Sequence, residues 1–488
     1  MLSTSEPNIT LLIDLYEITM ANGYLENGKE REIAYFDMFF RTLPDSGGFA
    51  IMAGLEQLIE YIENLHFTEQ DIRYLRGLER FSEPFLEYLE SFRFTGDIWA
   101  VPEGTPIFPY EPIVTVRAPL MEAQFIETML LLTINHQSLI ATKANRIVRA
   151  AGGRSVVEFG SRRAQGYDAA VYGARAAFIG GCTGTACVLA GQKMGIPVSG
   201  TMAHSWIQTF DSELEAFRRY ARLYPDDCTL LVDTYSVLSS GIPNAIRAFN
   251  EELVPRGYRP KGVRIDSGDI TYLSKKARKM LDEAGFPDCK IVASNSLDEN
   301  IIRDILIQGA KVDIFGVGER LITAASTPVF DGVYKLAALE RDGKVIPKIK
   351  LSENIAKITT PGHKCVWRLF DRESGKAIAD VISLAGEQID DSKPFELFDP
   401  DHTWKRKIVE NFVARKLQKP VFQHGMCVYR KPKLNEIADY CTRQVRTLWE
   451  EVLRFENPHR YYVDLSDALW RERQRLLDIY MVKKERSE

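Results

Sequence analysis

Apolar and polar positions change their rhythm along this chain, and the changes divide it. Residues 10–24 place apolar side chains at helical spacing, which predicts an amphipathic N-terminal helix. Ile33 to Arg41 (IAYFDMFFR) predicts an aromatic-rich strand, and helical stretches follow near 50–65 and 82–92. Between Gly96 and Arg117 prolines recur among short β-prone runs, as suits edge strands and turns of a small, mostly antiparallel sheet. Glu122 to Ala151 predicts one long helix that stops at Gly152-Gly153.

Strand and helix patterns then alternate. Strands are expected at 155–159, 197–202, 228–233, 261–265, 290–293 and 312–315, and helices at 213–223, 243–253, 271–284 and 299–308. Repeated βα units imply a parallel sheet covered by helices, either a barrel or an open doubly wound sheet. A compact polar group follows each apolar run: Ser161-Arg162-Arg163, His204-Ser205, Asp233-Thr234, Asp266-Ser267-Gly268-Asp269, Ser294-Asn295-Ser296 and Gly316-Val317-Gly318-Glu319. In a parallel barrel all strand C-termini share one face, so these groups would converge there. No G-x-G-x-x-G opening is obvious, and the barrel is therefore preferred to the open sheet.

Gly332 to Arg372 turns β-rich again. The basic stretch from Trp404 (WKRKIVENFVARKLQK) reads as solvated surface around a docking helix, with anion binding as the sharper alternative. Beyond it Leu434, Ile437, Cys441, Val445, Leu448 and Val452 mark a long amphipathic helix. The expected organisation is an N-terminal α+β domain over 1–140, an α/β barrel-like core over 141–330, a β-rich segment over 331–403 and a helical extension over 404–488.

Composition narrows the classes. With 488 residues, several domains are expected; 45% hydrophobic and 26% charged residues describe an ordinary globular protein. A formal charge of −5 gives no reason to invoke nucleic acid or an acidic membrane surface. Seven cysteines without a C-x-x-C pair point to a reducing compartment, away from zinc sites and disulfides. The N-terminus lacks the basic start and apolar core of a secretory signal, and Arg175 interrupts the mildly apolar run 169–191. A cytoplasmic protein is expected.

The strand-end residues suggest chemistry on anions. Arg162 and Arg163 offer planar forks of donors suited to phosphate or carboxylate. His204 is of the residue type best suited to proton and phosphoryl chemistry near neutral pH, although an isolated histidine is more often structural. Asp266 and Asp269 bracket Gly268; they could accept from vicinal hydroxyls or hold magnesium, while Asp269 needs no more than a helix N-cap role. Arg264 lies two residues before Asp266, so both point the same way along a strand. Gly316 and Gly318 would let backbone N–H groups approach a phosphate, or are ordinary turn glycines. These residues alone imply a barrel enzyme acting on a phosphorylated sugar-like substrate with magnesium, and they leave the reaction undecided.

The ordered set Asp14-Leu15-Tyr16-Glu17-Ile18-Thr19-Met20, Glu158-Phe159-Gly160-Ser161-Arg162-Arg163-Ala164, Gly200-Thr201-Met202-Ala203-His204-Ser205, Ile265-Asp266-Ser267-Gly268-Asp269 and Phe315-Gly316-Val317-Gly318 resembles the nicotinate phosphoribosyltransferase family, in its long bacterial form. The resemblance implies a type II phosphoribosyltransferase core and formation of nicotinate mononucleotide and pyrophosphate from nicotinate and phosphoribosyl pyrophosphate, in NAD salvage. It implies glycosyl transfer with ATP as co-substrate, coupled through a phosphohistidine at His204, with magnesium accompanying the phosphates and no metal ligands assigned. Tyr16 and Phe159 would sandwich the pyridine ring, with Tyr16 supplied by the other subunit of a homodimer. Arg162, with Arg163 beside it, would face carboxylate or phosphates; Arg264 and Asp266 would bind the phosphoribosyl group, and Gly316 and Gly318 its 5-phosphate. Ser205, Asp269 and Asn295 would lie near phosphates or metal.

Related nicotinamide enzymes carry an aspartate where Cys182-Thr183-Gly184-Thr185 has Gly184, and its absence favours the acid over the amide. A nicotinamide-using enzyme is the near alternative. A non-catalytic barrel that binds a phosphorylated metabolite is the alternative of a different class; it would release no pyrophosphate.

Overall fold

The computed structural model describes residues 8–354 and 357–485, with side chains described as far as residue 480. The chain forms two compact units, one of residues up to Ser138 together with those from Val329 onward, the other Leu139–Pro328.

The discontinuous unit is built on a seven-stranded antiparallel sheet in the order 344–347, 332–341, 33–40, 114–119, 97–100, 419–423, 426–427. Its inner strand Ile33–Phe40 is buried at every residue after Ile33, as a near-continuous apolar run requires when both faces are covered. The one charge in that run, Asp37, is compensated by the Lys364 ammonium at 2.7 Å and by the Thr115 hydroxyl, which donates at 2.7 Å. A four-stranded sheet, 412–416, 364–371, 377–384 and 463–465, lies in the same unit.

The helical extension expected from 404 begins instead as sheet. WKRKIVENFVARKLQK forms the strands Arg406–Val409 and Phe412–Lys416, followed by Lys419–Gln423. Val409, Phe412, Val421 and Phe422 are buried between exposed basic residues. Their partners, 395–398, 364–371 and 97–100, include strands distant in sequence, so local pattern alone could not select strand over helix. The helix expected at 434–452 is Leu434–Val445. A final helix, Asp467–Glu485, lies within the expected helical extension. Helix Glu69–Gly77 was not expected, although its capping box is legible: Thr68 accepts from the Asp71 N–H while Asp71 accepts from that of Thr68. The expected helix 122–151 is two, Leu120–Phe125 and Glu127–Ala150, and no Gly or Pro marks the break at Ile126.

The second unit is mixed α/β around six parallel strands in the order 184–185, 155–158, 314–317, 290–294, 262–265, 229–231. The first major strand of the unit thus pairs with its last, and the others follow in chain order. The expected strand 197–202 is reduced to one bridge between Val198 and Thr185. Residues 197–200 are exposed and Pro197 lacks an N–H, so this segment has little to bury and less to pair. No ladder joins it to 229–231, and the hydrogen-bonded pairing stays open there. Helices Glu213–Leu223, Ile242–Ala248, Ile270–Glu283 and Glu299–Ile307 accompany the strands. Phe217, Ala248, Phe249, Ala277 and Leu281 pack with Val263, Ile265 and Ile291 in one core.

No helix among the described residues is long and apolar enough to cross a membrane.

Candidate active site at the strand ends

The parallel direction of the strands brings their C-terminal residues to one face. Arg264 is the hub. It leaves strand Gly262–Ile265 half-buried, and its guanidinium donates from Nη2 to Asp266 Oδ1 at 2.8 Å, from Nε to Ser294 Oγ at 2.8 Å and from Nη1 to Thr201 Oγ1 at 3.2 Å. The same group lies 5.5 Å from the centroid of the Phe159 ring, within cation–π range. Three strand-end segments and the irregular segment that carries Thr201 are therefore tied to one side chain whose charge is permanent.

Asp266 is held on several sides. Ser294 Oγ donates to its Oδ1 alongside Arg264, and its backbone N–H donates to Asp233 Oδ2 at 3.1 Å. Its Oδ2 faces His204 Nε2 at 3.9 Å. His204 Nδ1 lies 3.0 Å from the Thr234 hydroxyl, which fixes the ring and leaves Nε2 toward the cleft. The His204 and Asp266 side chains remain 40% and 29% exposed, so both are reachable by a ligand.

Asp233 Oδ2 also accepts from Ser267 Oγ at 2.5 Å, whereas its Oδ1 is buried with no hydrogen-bond partner. An orphaned carboxylate oxygen of this kind is costly without a counter-charge. Asp233 and Asp266 make a donor set suited to magnesium, which commonly takes one or two carboxylates and completes its shell with waters and phosphates. Among the described residues no group of three or more His, Cys, Asp or Glu is arranged to hold a metal unaided.

Glu158 supports the floor. It is fully buried, accepts from the Gly160 N–H and from Thr185 Oγ1 at 2.6 Å, and burial pushes its carboxyl above the usual range. Phe159 follows it at the strand end. The glycines have a definite task beside that ring: a Cβ on Gly316 would meet the Phe159 ring at 2.5 Å, and one on Gly318 would meet the Phe159 carbonyl at 3.1 Å. Gly316 lies inside strand Ile314–Val317, not beyond the end expected at 315, and Gly318 precedes the short helix 319–322. Room for Phe159 is a reason for both glycines that requires no phosphate.

Arg162 and Arg163 occupy the exposed turn Ser161–Arg163. Arg163 approaches Glu319 at 3.8 Å on the surface; the Arg162 guanidinium has no hydrogen-bond partner among the described residues and is free for an anion. Ser205 is exposed in the short helix His204–Gln208. Asn295 is exposed with φ +84°, where an Asn is tolerated better than most residues. Asp269 caps helix Ile270–Glu283 by accepting from the Tyr272 N–H at 2.9 Å, which is its plain structural role. Tyr16 belongs to the other unit, 44% exposed near the start of helix Leu15–Glu26, where burial and Glu127 push its phenol up.

Gly184 needs a revised explanation. A Cβ there would lie 2.6 Å from the Pro197 carbonyl oxygen, so packing alone excludes a side chain and the missing carboxylate says little about substrate charge.

Asp233, Thr234, Thr201, Ser294 and Glu158 enter the cluster without having been singled out as site residues. Asp233-Thr234 and Ser294 stood in polar groups after apolar runs, which was a usable signal. Thr201 stood in the motif that carries His204, but the strand expected to present it is reduced to one bridge.

Models of the nicotinate phosphoribosyltransferase N-terminal domain, family and C-terminal domain match residues 11–135, 154–374 and 363–473. Nicotinate phosphoribosyltransferase of Bacillus subtilis is 46% identical over 467 residues, covering 95% of this chain and 94% of that protein. The Mycobacterium tuberculosis enzyme pncB2 is 41% identical, over 96% of this chain and 93% of its own length. The crystal structure of human nicotinic acid phosphoribosyltransferase superposes with a TM-score of 0.85 at 29% identity, covering 95% of this chain and 99% of that one.

Proposed function

Because the chain belongs to the nicotinate phosphoribosyltransferase family, we propose that it forms nicotinate mononucleotide and pyrophosphate from nicotinate and phosphoribosyl pyrophosphate. The observation that bears most weight is the Arg264 hub, which sets a permanent cation, a reachable carboxylate and an aromatic face side by side at the strand ends.

In this reaction the bond from the anomeric carbon to the pyrophosphate oxygen breaks, and the pyridine nitrogen forms the new bond to that carbon. Positive charge develops at the sugar while negative charge leaves with pyrophosphate. The Asp266 carboxylate, fixed by Arg264 and Ser294, is placed to answer the first. Arg264 and the unengaged Arg162 answer the second or hold the nicotinate carboxylate. Phe159 offers its face to the pyridine ring, with Tyr16 of a second subunit completing the sandwich in a homodimer. Magnesium held by Asp233 and Asp266 would neutralise the departing pyrophosphate. The cyclic strand order of the second unit, open at the Val198 segment, is consistent with a barrel whose mouth is this face.

ATP coupling runs through His204 in this reading. With the ring hydrogen on Nδ1 donating to Thr234, Nε2 is the nucleophile; it takes the terminal phosphoryl group of ATP as the bond to ADP breaks, and water later returns it as phosphate. The added charge would lie beside Asp266 and bias the site toward its productive state.

The test is mononucleotide formation by the purified protein with magnesium, phosphoribosyl pyrophosphate and either nicotinate or nicotinamide, with and without ATP. Product from nicotinate that ATP stimulates supports the whole reading. Product only from nicotinamide removes the substrate assignment, and absence of pyrophosphate release removes catalysis.

A further inference from the structure

At the other ends of the same parallel strands lies an open pocket of about 620 Å³ that the reaction does not use. Its lining includes Arg154, Arg278, Lys290 and Lys311 against a single carboxylate, Asp313. Four cations around one acid are unusual on a protein whose formal charge is −5, and a local excess of this kind concentrates anions.

A structural task accounts for part of the cluster. Arg278 is spent on the Cys289 and Phe286 carbonyls and on Asp282. Asp313 accepts from the Ile291 N–H at 2.9 Å and stands 3.6 Å from the Lys290 ammonium. Arg154 donates from Nε to the Val312 carbonyl at 2.9 Å and from Nη1 to that of Ala151 at 3.3 Å. What is left over is a set of donors. The Lys311 ammonium, the Ser155 hydroxyl, the Gly153 N–H and Arg154 Nη2 have no hydrogen-bond partner among the described residues. Gly153 stands open, with nothing within 4 Å of where its Cβ would be, so a ligand could approach its backbone closely. Unspent donors of four kinds, one permanent charge among them, match the oxygens of a phosphate chain better than a lone carboxylate.

We propose that this pocket is a second anion site, binding the phosphate groups of a nucleotide tail or of a free inorganic oligophosphate at the strand starts, away from the face that carries Arg264. The assignment does not depend on the reaction proposed above. The site adjoins the starts of strands Ser155–Glu158, Lys290–Ser294 and Ile314–Val317.

Lysine acylation of the full-length protein by an N-hydroxysuccinimide ester, mapped by mass spectrometry, reads this site separately from the strand-end face. With tripolyphosphate present, modification of Lys290 and Lys311 is expected to fall at least about threefold, as occupancy above roughly two-thirds requires. Modification of the exposed Lys193 and Lys393 should stay unchanged. Equal protection by ATP identifies a site that accepts a nucleotide tail, and protection by ATP alone one that also needs the base. Absence of protection by either, or equal protection by sodium chloride at matched ionic strength, overturns the proposal. In Lys311→Ala, protection of Lys290 should be lost with the melting temperature unchanged; persistence of that protection would remove Lys311 from the site.

Discussion

Arg264 and its neighbours set the sharpest expectations. In Arg264→Lys the charge survives but the fork that reaches Asp266, Ser294 and Thr201 together does not. Losing charge-assisted hydrogen bonds worth about 1.5–3 kcal/mol each should lower kcat/KM by at least about tenfold in steady-state assays, with the melting temperature little changed. His204→Ala should abolish ATP hydrolysis and its stimulation of synthesis while leaving some ATP-independent turnover; full coupling in that variant would contradict the role given to Nε2. Gly316→Ala tests the packing account. Its Cβ would meet the Phe159 ring at 2.5 Å, so a loss of about 1–3 kcal/mol in denaturant titration and a raised KM for nicotinate are expected together. A phosphate role alone would raise KM for phosphoribosyl pyrophosphate instead.

Among the elements, helix Leu15–Glu26 shows how burial converts into pH dependence. Glu17 is buried and receives the Thr128 hydroxyl, while its second oxygen has no hydrogen-bond partner. Burial, with Glu127 nearby, pushes its carboxyl up to about 7. A carboxyl raised in the folded state binds its proton more tightly there than in the unfolded chain. Its contribution is therefore complete below the ordinary carboxylate range and is lost as pH rises through about 7. Glu17→Gln should be more stable than the parent at pH 8, by up to about 3 kcal/mol, with little difference at pH 4, in denaturant titrations at both values. The strands from Arg406 to Gln423 make a different point about elements. Alternation there was visible in KIV and FVARK, but the basic residues between suggested a solvated helix, and only pairing with distant strands settles the choice.

The whole molecule is ordered by an interruption. Strand 33–40 pairs with 332–341, so the antiparallel sheet must close a loop that contains the entire second unit. The parallel sheet draws all its strands from one continuous stretch. Non-local pairing slows folding, and pulse-labelled hydrogen exchange during refolding should protect amides of 262–265 and 290–294 before those of 33–40. Simultaneous protection would mean that the two units fold as one.

Local chemistry on the chain determined a great deal. The βα rhythm, the polar groups after each apolar run and the ordered motifs led to a parallel sheet, a strand-end site and the family, because periodicity and turn chemistry are properties of neighbours in sequence. Tertiary structure alone decided the rest. It brought Thr201 to Arg264 through a segment that is not a strand, and it gave Gly316 and Gly184 packing reasons where chemistry had seemed sufficient. It also turned the basic stretch into sheet. Each of these depends on what lies opposite in space, and contacts between residues far apart in sequence leave no period to read.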